Sequence, residues 1–230
     1  MNHNKQGFTL IELMLAMTFV SALLLAIAMT VIQISNIYTK GLTLKEVNQA
    51  GRTISTELKR GISQSAPFLV SSKYINQKSG GVSYGGRLCV GQYSYIWNYG
   101  STLVNSGTDK NNSNVYAGGS TKMSFVKAPD SSGSYCSSSS KAIDKLDAIE
   151  LLASGDSKLA LHGFTIANNS TDPKSDEGLY SITFTIGTND QKALDATQTT
   201  CNAPNVAGSD INYCFVNKFN IVARAINGLQ

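Results

Sequence analysis

The chain has 230 residues, a formal charge of +4 from 19 Lys and Arg against 15 Asp and Glu, and only 15% charged residues. The basic residues are scattered along it, which excludes the clustered footprint of a nucleic-acid binder. With so few charges, surface polarity has to come from Ser, Asn, Thr, Gly and Tyr, a composition suited to an exported surface that contacts proteins.

The first seven residues, MNHNKQG, are short and polar. From Phe8 to Ile34 the chain reads FTLIELMLAMTFVSALLLAIAMTVIQI, and Glu12 is its only charge. That run exceeds the about 20 apolar residues that span a bilayer. A secretory signal carries its small-residue cleavage site after the apolar core, whereas here the small residue, Gly7, precedes it. Cutting after Gly7 leaves the apolar helix on the mature chain and creates an α-amine on Phe8, one helical turn from Glu12. A carboxylate at mid-bilayer costs roughly 2.5–3.5 kcal/mol and usually has a partner. Among packed identical helices, the amine of one chain and the carboxylate of a neighbour neutralise each other. A plain signal anchor with a tolerated interfacial acid is the alternative. Lys5 precedes the run and the next basic residue is Lys40, so the positive-inside rule places the leader in the cytoplasm and the rest outside.

Lys5-Gln6-Gly7-Phe8-Thr9-Leu10-Ile11-Glu12-Leu13 resembles the class III prepilin signal of the type IV pilin and pseudopilin family. The resemblance implies cleavage between Gly7 and Phe8 by prepilin peptidase, N-methylation of Phe8, and a role for Glu12 in docking each subunit into a growing filament. The partners it implies are prepilin peptidase, other pilins or pseudopilins through the N-terminal helix, the inner-membrane assembly platform, and membrane lipid before assembly. The implied location is a single-pass inner membrane protein with its C-terminal domain outside, which later enters a pilus or pseudopilus. The implied fold is α+β, a lollipop whose long N-terminal helix, about residues 8–63, packs on a C-terminal antiparallel β-sheet. The match is specific over the N-terminal helix and one of layout beyond it. Many major pilins carry a proline that kinks this helix, and none is present here. With the size and the cysteine-bearing C-terminal part, that points to a larger minor subunit at or near the filament tip. The alternatives are a pseudopilin of a type II secretion or competence DNA-uptake system, a tip adhesin, or a major pilin.

Taken in order, the chain divides into a leader (1–7), an apolar helix (8–34), the amphipathic half of the same helix (35–64) and a β-rich domain (65–230). The last has more than enough residues for one sizeable core. In the amphipathic half, Ile37, Leu44, Val47, Gly51, Ile54, Leu58 and Ile62 recur largely at three- and four-residue spacings, which places them on one face. Gly41, Gly51 and Gly61 lie inside the helix and mark close backbone approach, bending, or simple tolerance. Ala66-Pro67 ends it. Beyond lies a loop-rich stretch to about Asp147, with glycine turns at Gly80-Gly81 and Gly85-Gly86 and strands at Arg87–Val90 and Tyr93–Tyr99. Trp97 among Tyr93, Tyr95 and Tyr99 is either a packed core strand, the favoured reading, or an exposed binding patch. Ser131–Ser140 is a low-complexity loop. Strands are expected at Ala148–Leu152, Lys158–Ala167, Leu179–Ile186 and Cys214–Ile226. The alternation of Leu179–Ile186 predicts one buried and one solvated face, and the second and third of these strands a hairpin.

The four cysteines, Cys89, Cys136, Cys201 and Cys214, allow three pairings. An address outside the cytoplasm favours disulfides, and chain order pairs Cys89 with Cys136 and Cys201 with Cys214. A C-terminal disulfide loop resembles the receptor-contacting loop of several pilins, although a structural staple is the plainer reading. No CxxC pair is available for zinc. Calcium is the one cofactor considered: Asp172, Asp176 and Glu177 are candidate ligands, as in some pseudopilins, in a loop that lacks regularly alternating oxygen ligands. No catalytic set emerges: no GxSxG is present, His3 belongs to the leader, and His162 in LALHGF reads as a packed or surface residue. The expectation is a structural protein and not an enzyme.

Overall fold

The structure, a computed structural model, describes residues 9–79, 81–104, 115, 122–137, 148–152, 159–169, 178–207, 209 and 213–226. The apolar and amphipathic segments form one continuous helix, α1 (Leu10–Ser63), of 54 residues and roughly 80 Å. Its first half is apolar on all sides and its second half has a single buried face, so one helix has two kinds of surface. Its last turn is tied off as Gln64 N–H donates to the Arg60 carbonyl and Ser65 N–H to that of Ile62, just ahead of Pro67.

Thr43, Val47, Gly51, Ile54, Leu58, Gly61 and Ile62 are the buried residues of α1. Their spacing is the expected helical face, shifted at its upper end. Ile37 and Leu44, expected on that face, are 72% and 42% exposed, and Thr43 is buried in their place. Ile37 lies above Thr43, beyond the stretch that the described β-domain covers, whereas Leu44 lies within that stretch but off the face, which steps four residues back from Val47 to Thr43 and not three to Leu44. Of the three helix glycines, Gly51 and Gly61 mark close approach. A Cβ at Gly51 would collide with the Phe219 ring, and one at Gly61 with the Tyr95 side chain, while Gly41 has nothing nearby. The Tyr95 hydroxyl lies along the helix and donates to the Glu57 carbonyl at 3.0 Å.

A short helix, α2 (Val70–Lys73), leads into a five-stranded antiparallel sheet of β1 (Tyr74–Ser79), β2 (Val82–Val90), β3 (Tyr93–Asn98), β4 (Phe125–Pro129) and β5 (Ile149–Glu150), in that spatial order. Helices α3 (Gly100–Val104) and α4 (Ser134–Ser137) interrupt the chain around β4. A second antiparallel sheet has three strands, β6 (Leu159–Asn168), β7 (Gly178–Thr188) and β8 (Val216–Ala225). The expected single sheet is therefore two. Beyond Asn98 the chain turns into α3, and a single bridge, Tyr99 to Leu161, joins the end of β3 to β6.

The expected hairpin of β6 and β7 is present, with rows Ile166–Ile182–Ile221 and Phe164–Phe184–Phe219 running across to β8. Strands β1 and β4 lie within the stretch expected to be loop-rich. Gly85 and Gly86, expected in a turn, lie inside β2 instead. Gly86 faces Trp97 across the sheet, and a Cβ there would come within 2.5 Å of the indole. Trp97 is fully buried, and the ring contacts Trp97–Phe164 (4.3 Å), Phe164–Phe184 (6.4 Å) and Phe184–Phe219 (5.3 Å) join the two sheets in one core beneath α1.

The other face of the five-stranded sheet is covered by chain segments, so β3 is buried on both sides. Ile96 and Val126 pack there with Val115, Met123 and Tyr135. Asn98 Nδ2 donates to the carbonyls of Val115 at 2.9 Å and Met123 at 2.7 Å. The Cys89–Cys136 disulfide staples this covering layer to β2, and Cys201–Cys214 closes a second loop ahead of β8. Part of the serine-rich stretch forms α4, whose backbone N–H groups at Ser134 and Tyr135 are taken up by the Asp130 carboxylate.

Candidate functional site

The candidate site is the uncovered upper part of α1. Sixteen large apolar side chains between Leu10 and Ile34 are exposed, from Leu23 at 47% to Leu10 at 77%. Burying that many is worth on the order of 20 kcal/mol or more at about 1.5–3 kcal/mol for a fully buried side chain. A contiguous apolar surface of this extent marks a site that something else covers. The helix is long and apolar enough to cross a membrane.

Polar groups within it are turned inward. The hydroxyls of Thr18, Ser21 and Thr30 donate to the carbonyls of Leu15, Met17 and Ala26, one turn back along the same helix. Those hydroxyls ask nothing of an apolar environment. Glu12 is the exception. It sits in the first turn, where the positive end of the helix dipole favours a carboxylate. Thr9, extended at φ −76° and ψ 149°, is the N-cap. Its backbone N–H and hydroxyl both donate to Glu12 Oε2, at 3.0 and 2.8 Å, and its Oγ1 accepts from Glu12 N–H at 3.4 Å. This reciprocal capping box fixes the start of the helix. Ile11, Leu15, Ala16 and Phe19 share its stretch of helix surface, so the exposed carboxylate is a lone charge in an apolar surface. The pairing with Thr9 was not among the sequence expectations, although the Thr-x-x-Glu spacing signals it.

Gly7 and Phe8, the expected processing residues, lie outside the described residues, as do the calcium candidates Asp172, Asp176 and Glu177. Among the described residues no group of three or more His, Cys, Asp or Glu is placed to hold a metal ion. All four cysteines are disulfide-bonded. Trp97, Tyr95 and Tyr99 are buried and Tyr93 is half-buried, so this strand presents no aromatic patch. Tyr93 instead carries the Lys127 ammonium 4.1 Å from its ring centre, and Lys127 Nζ reaches Glu57 Oε2 of α1 at 2.7 Å.

His162 is not a bare surface histidine. Its Nδ1 lies 3.2 Å from Gln198 Oε1 and its Nε2 lies 3.1 Å from the Thr188 carbonyl. Burial lowers its pKa from the ordinary value, opposed by the Gln198 and Thr188 contacts. Gln198 belongs to a loop organised by Asp195, which accepts from the Thr197 hydroxyl and from the backbone N–H groups of Thr199 at 2.8 Å and Thr200 at 2.9 Å. The Thr197 hydroxyl and the Thr200 N–H lead the contacts that hold the Asp195 pKa down to about 2. The His162–Gln198 pair spans 36 residues, and no local pattern announces it.

Comparison with protein-family models, curated proteins and solved structures yields no match.

Proposed function

We propose that the chain is a minor pilin-like structural and assembly subunit of a type IV filament system. Prepilin peptidase cuts after Gly7, and the new Phe8 amine is methylated. The apolar half of α1 waits in the membrane with the disulfide-stapled β-domain outside, until an assembly platform moves it into the filament. There the apolar helices of neighbouring subunits replace lipid, so the transfer costs little hydrophobic energy. The Phe8 amine of one chain and Glu12 of its neighbour set the register. A place at or near the tip agrees with the size and the proline-free helix.

The observation that carries this reading is one helix with two surfaces. Its lower half is committed to its own domain, and its upper half from Leu10 to Ile34 is predominantly apolar on every side, with a single charge, the N-terminal carboxylate of Glu12. Lipid and a bundle of like helices both satisfy that surface, which is what a subunit moving from one to the other requires. The Thr9 contacts occupy Glu12 Oε2, and a cation from a neighbour would meet the carboxylate at its other oxygen.

The test is Glu12→Val in the full chain, followed in membranes and in sheared surface filaments. Cleavage is expected to proceed and incorporation to stop. Normal incorporation of the variant would remove the charge-pairing role from the account. The same filaments distinguish a tip subunit from a shaft subunit by stoichiometry.

A further inference from the structure

Two of the three glycines of α1 are seats for rings. Gly51 receives Phe219 and Gly61 receives Tyr95, both from the chain's own β-domain. Gly41 is the third, and no described atom lies within 4 Å of where its Cβ would be. Within one chain it is merely tolerated, at a cost of up to about 1 kcal/mol against alanine.

An α-helix turns about 100° per residue. Gly41 stands two residues ahead of Thr43, so it faces nearly away from the packed side. Its neighbours at three and four residues are Ile37, Tyr38, Leu44 and Lys45. Ile34 lies one turn further up the same side. Ile34, Ile37, Tyr38 and Leu44 are all exposed, and Lys45 closes this apolar stripe below. On the packed side the same stretch is polar: Lys40, Asn36 and Gln33 stand seven, eleven and fourteen residues before Val47, which places them above it on one face. From Gln33 to Leu44 the helix is therefore amphipathic in the opposite sense to its lower half. Its apolar side points away from the β-domain and has a glycine at its centre.

Length decides what can cover that side. At about 1.5 Å per residue, Leu44 stands roughly 50 Å along the helix from Leu10. The hydrocarbon core of a bilayer is about 30 Å thick, and about 40–45 Å with its headgroup layers. A tilt of about 20° shortens the helix's span by only a few ångströms. Counted from Leu10, the hydrocarbon ends near Thr30, and Gln33 and Asn36 suit the headgroup layer beyond it. Lipid covers the upper half of α1 and does not reach the lower end of the stripe. The chain's own described residues leave it exposed. What remains is another protein, and the shape of the stripe selects a helix. The stripe is straight, about three turns long, and has its smallest residue in the middle, where a glycine lets two helix backbones approach closely. It is also continuous with the apolar surface above it, which in the proposed filament is lined by helices of neighbouring subunits.

We propose that Ile34, Ile37, Tyr38, Gly41 and Leu44 form a docking face, outside the hydrocarbon core, for the apolar helix of a neighbouring filament subunit, with Gly41 as the seat where the two helices touch. This rests on the filament reading above and adds a contact that membrane anchoring does not need. A subunit that is only anchored leaves the face bare, and a docked subunit covers it.

The test is site-specific photocrosslinking in the full chain. A benzophenone amino acid takes the place of Tyr38, of Lys40 or of Leu24, and adducts are mapped by peptide mass spectrometry in membranes and in sheared filaments. In filaments the probe at Tyr38 is expected to join the apolar helix of another subunit, and the probe at Lys40 is not. The probe at Leu24 reports the filament reading by itself, moving from lipid adducts in membranes to helix adducts in filaments. Gly41→Leu is expected not to lower the denaturant midpoint of the β-domain, while the Tyr38 adduct falls severalfold. Three results would each overturn the docking face and leave the filament reading standing, provided that Leu24 still reaches another subunit's helix. They are Tyr38 adducts confined to lipid or to the chain's own domain, equal helix adducts from Tyr38 and Lys40, and a Tyr38 adduct undiminished in Gly41→Leu. A Leu24 probe that reaches no other subunit would remove both readings.

Discussion

The two halves of α1 share one backbone and obey different rules. From Thr43 downward the helix spends its apolar residues on one face, and the two glycines on that face seat Phe219 and Tyr95 from two different sheets. Above Thr43 apolar residues ring the helix, serine and threonine hydroxyls fold back on the helix, and no described part of the β-domain covers it. The lower half belongs to a globular domain. The upper half is the half of an interface whose other side is lipid or another molecule. A helix that is hydrophobic all round is a buried helix, and here none of the described residues supplies that burial.

That contrast can be broken most sharply by truncating one apolar residue in each half. Ile54 is fully buried, so Ile54→Ala is expected to cost the β-domain about 2–5 kcal/mol. Leu24 is 59% exposed and lies in the uncovered upper half, so Leu24→Ala should leave the denaturant midpoint of that domain unchanged. Equal losses would mean that the upper half folds back on the domain in solution.

The helix glycines differ between the two halves in the same way, at smaller scale. Gly51→Ala forces a Cβ against the Phe219 ring and is expected to destabilise the domain by about 1–3 kcal/mol. Gly41→Ala meets open space, so the gain in helix propensity, up to about 1 kcal/mol, is free to appear. Thermal unfolding of the two variants in micelles should move in opposite directions. A shift of the same sign in both would remove the distinction between a seat and a tolerated glycine.

How much of this could be read from sequence follows from the same physics. The helix was legible because its apolar run is long and its second half repeats at three and four residues. The β6–β7 hairpin was legible because one face of β7 is solvated, so Leu179–Ile186 alternates. The five-stranded sheet was largely hidden. β3 is covered on both faces, which erases alternation, and β1 (YINQKS) and β4 (FVKAP) carry lysines and few aliphatic residues. Gly85-Gly86 looks like a turn and is a strand because Trp97 needs the room. Ile37 and Leu44 match the periodicity of the packed face, but sequence spacing says neither how far up the helix the domain reaches nor that the face runs through Thr43 and not its neighbour Leu44. Glu12 stood out as a lone charge, while its partner Thr9 required reading the capping spacing. The His162–Gln198 contact joins distant residues through a bulge and a left-handed turn, neither of which leaves a periodic trace.

The most direct test of the central claim is intact mass with N-terminal sequencing, on protein isolated from membranes and from sheared surface filaments. The expected chain begins at N-methyl-Phe8, lacks the four hydrogens given up to two disulfides, and is present in filaments at low stoichiometry. A chain that retains Met1 to Gly7 and is found only in membranes would contradict that claim and leave α1 as a plain anchor.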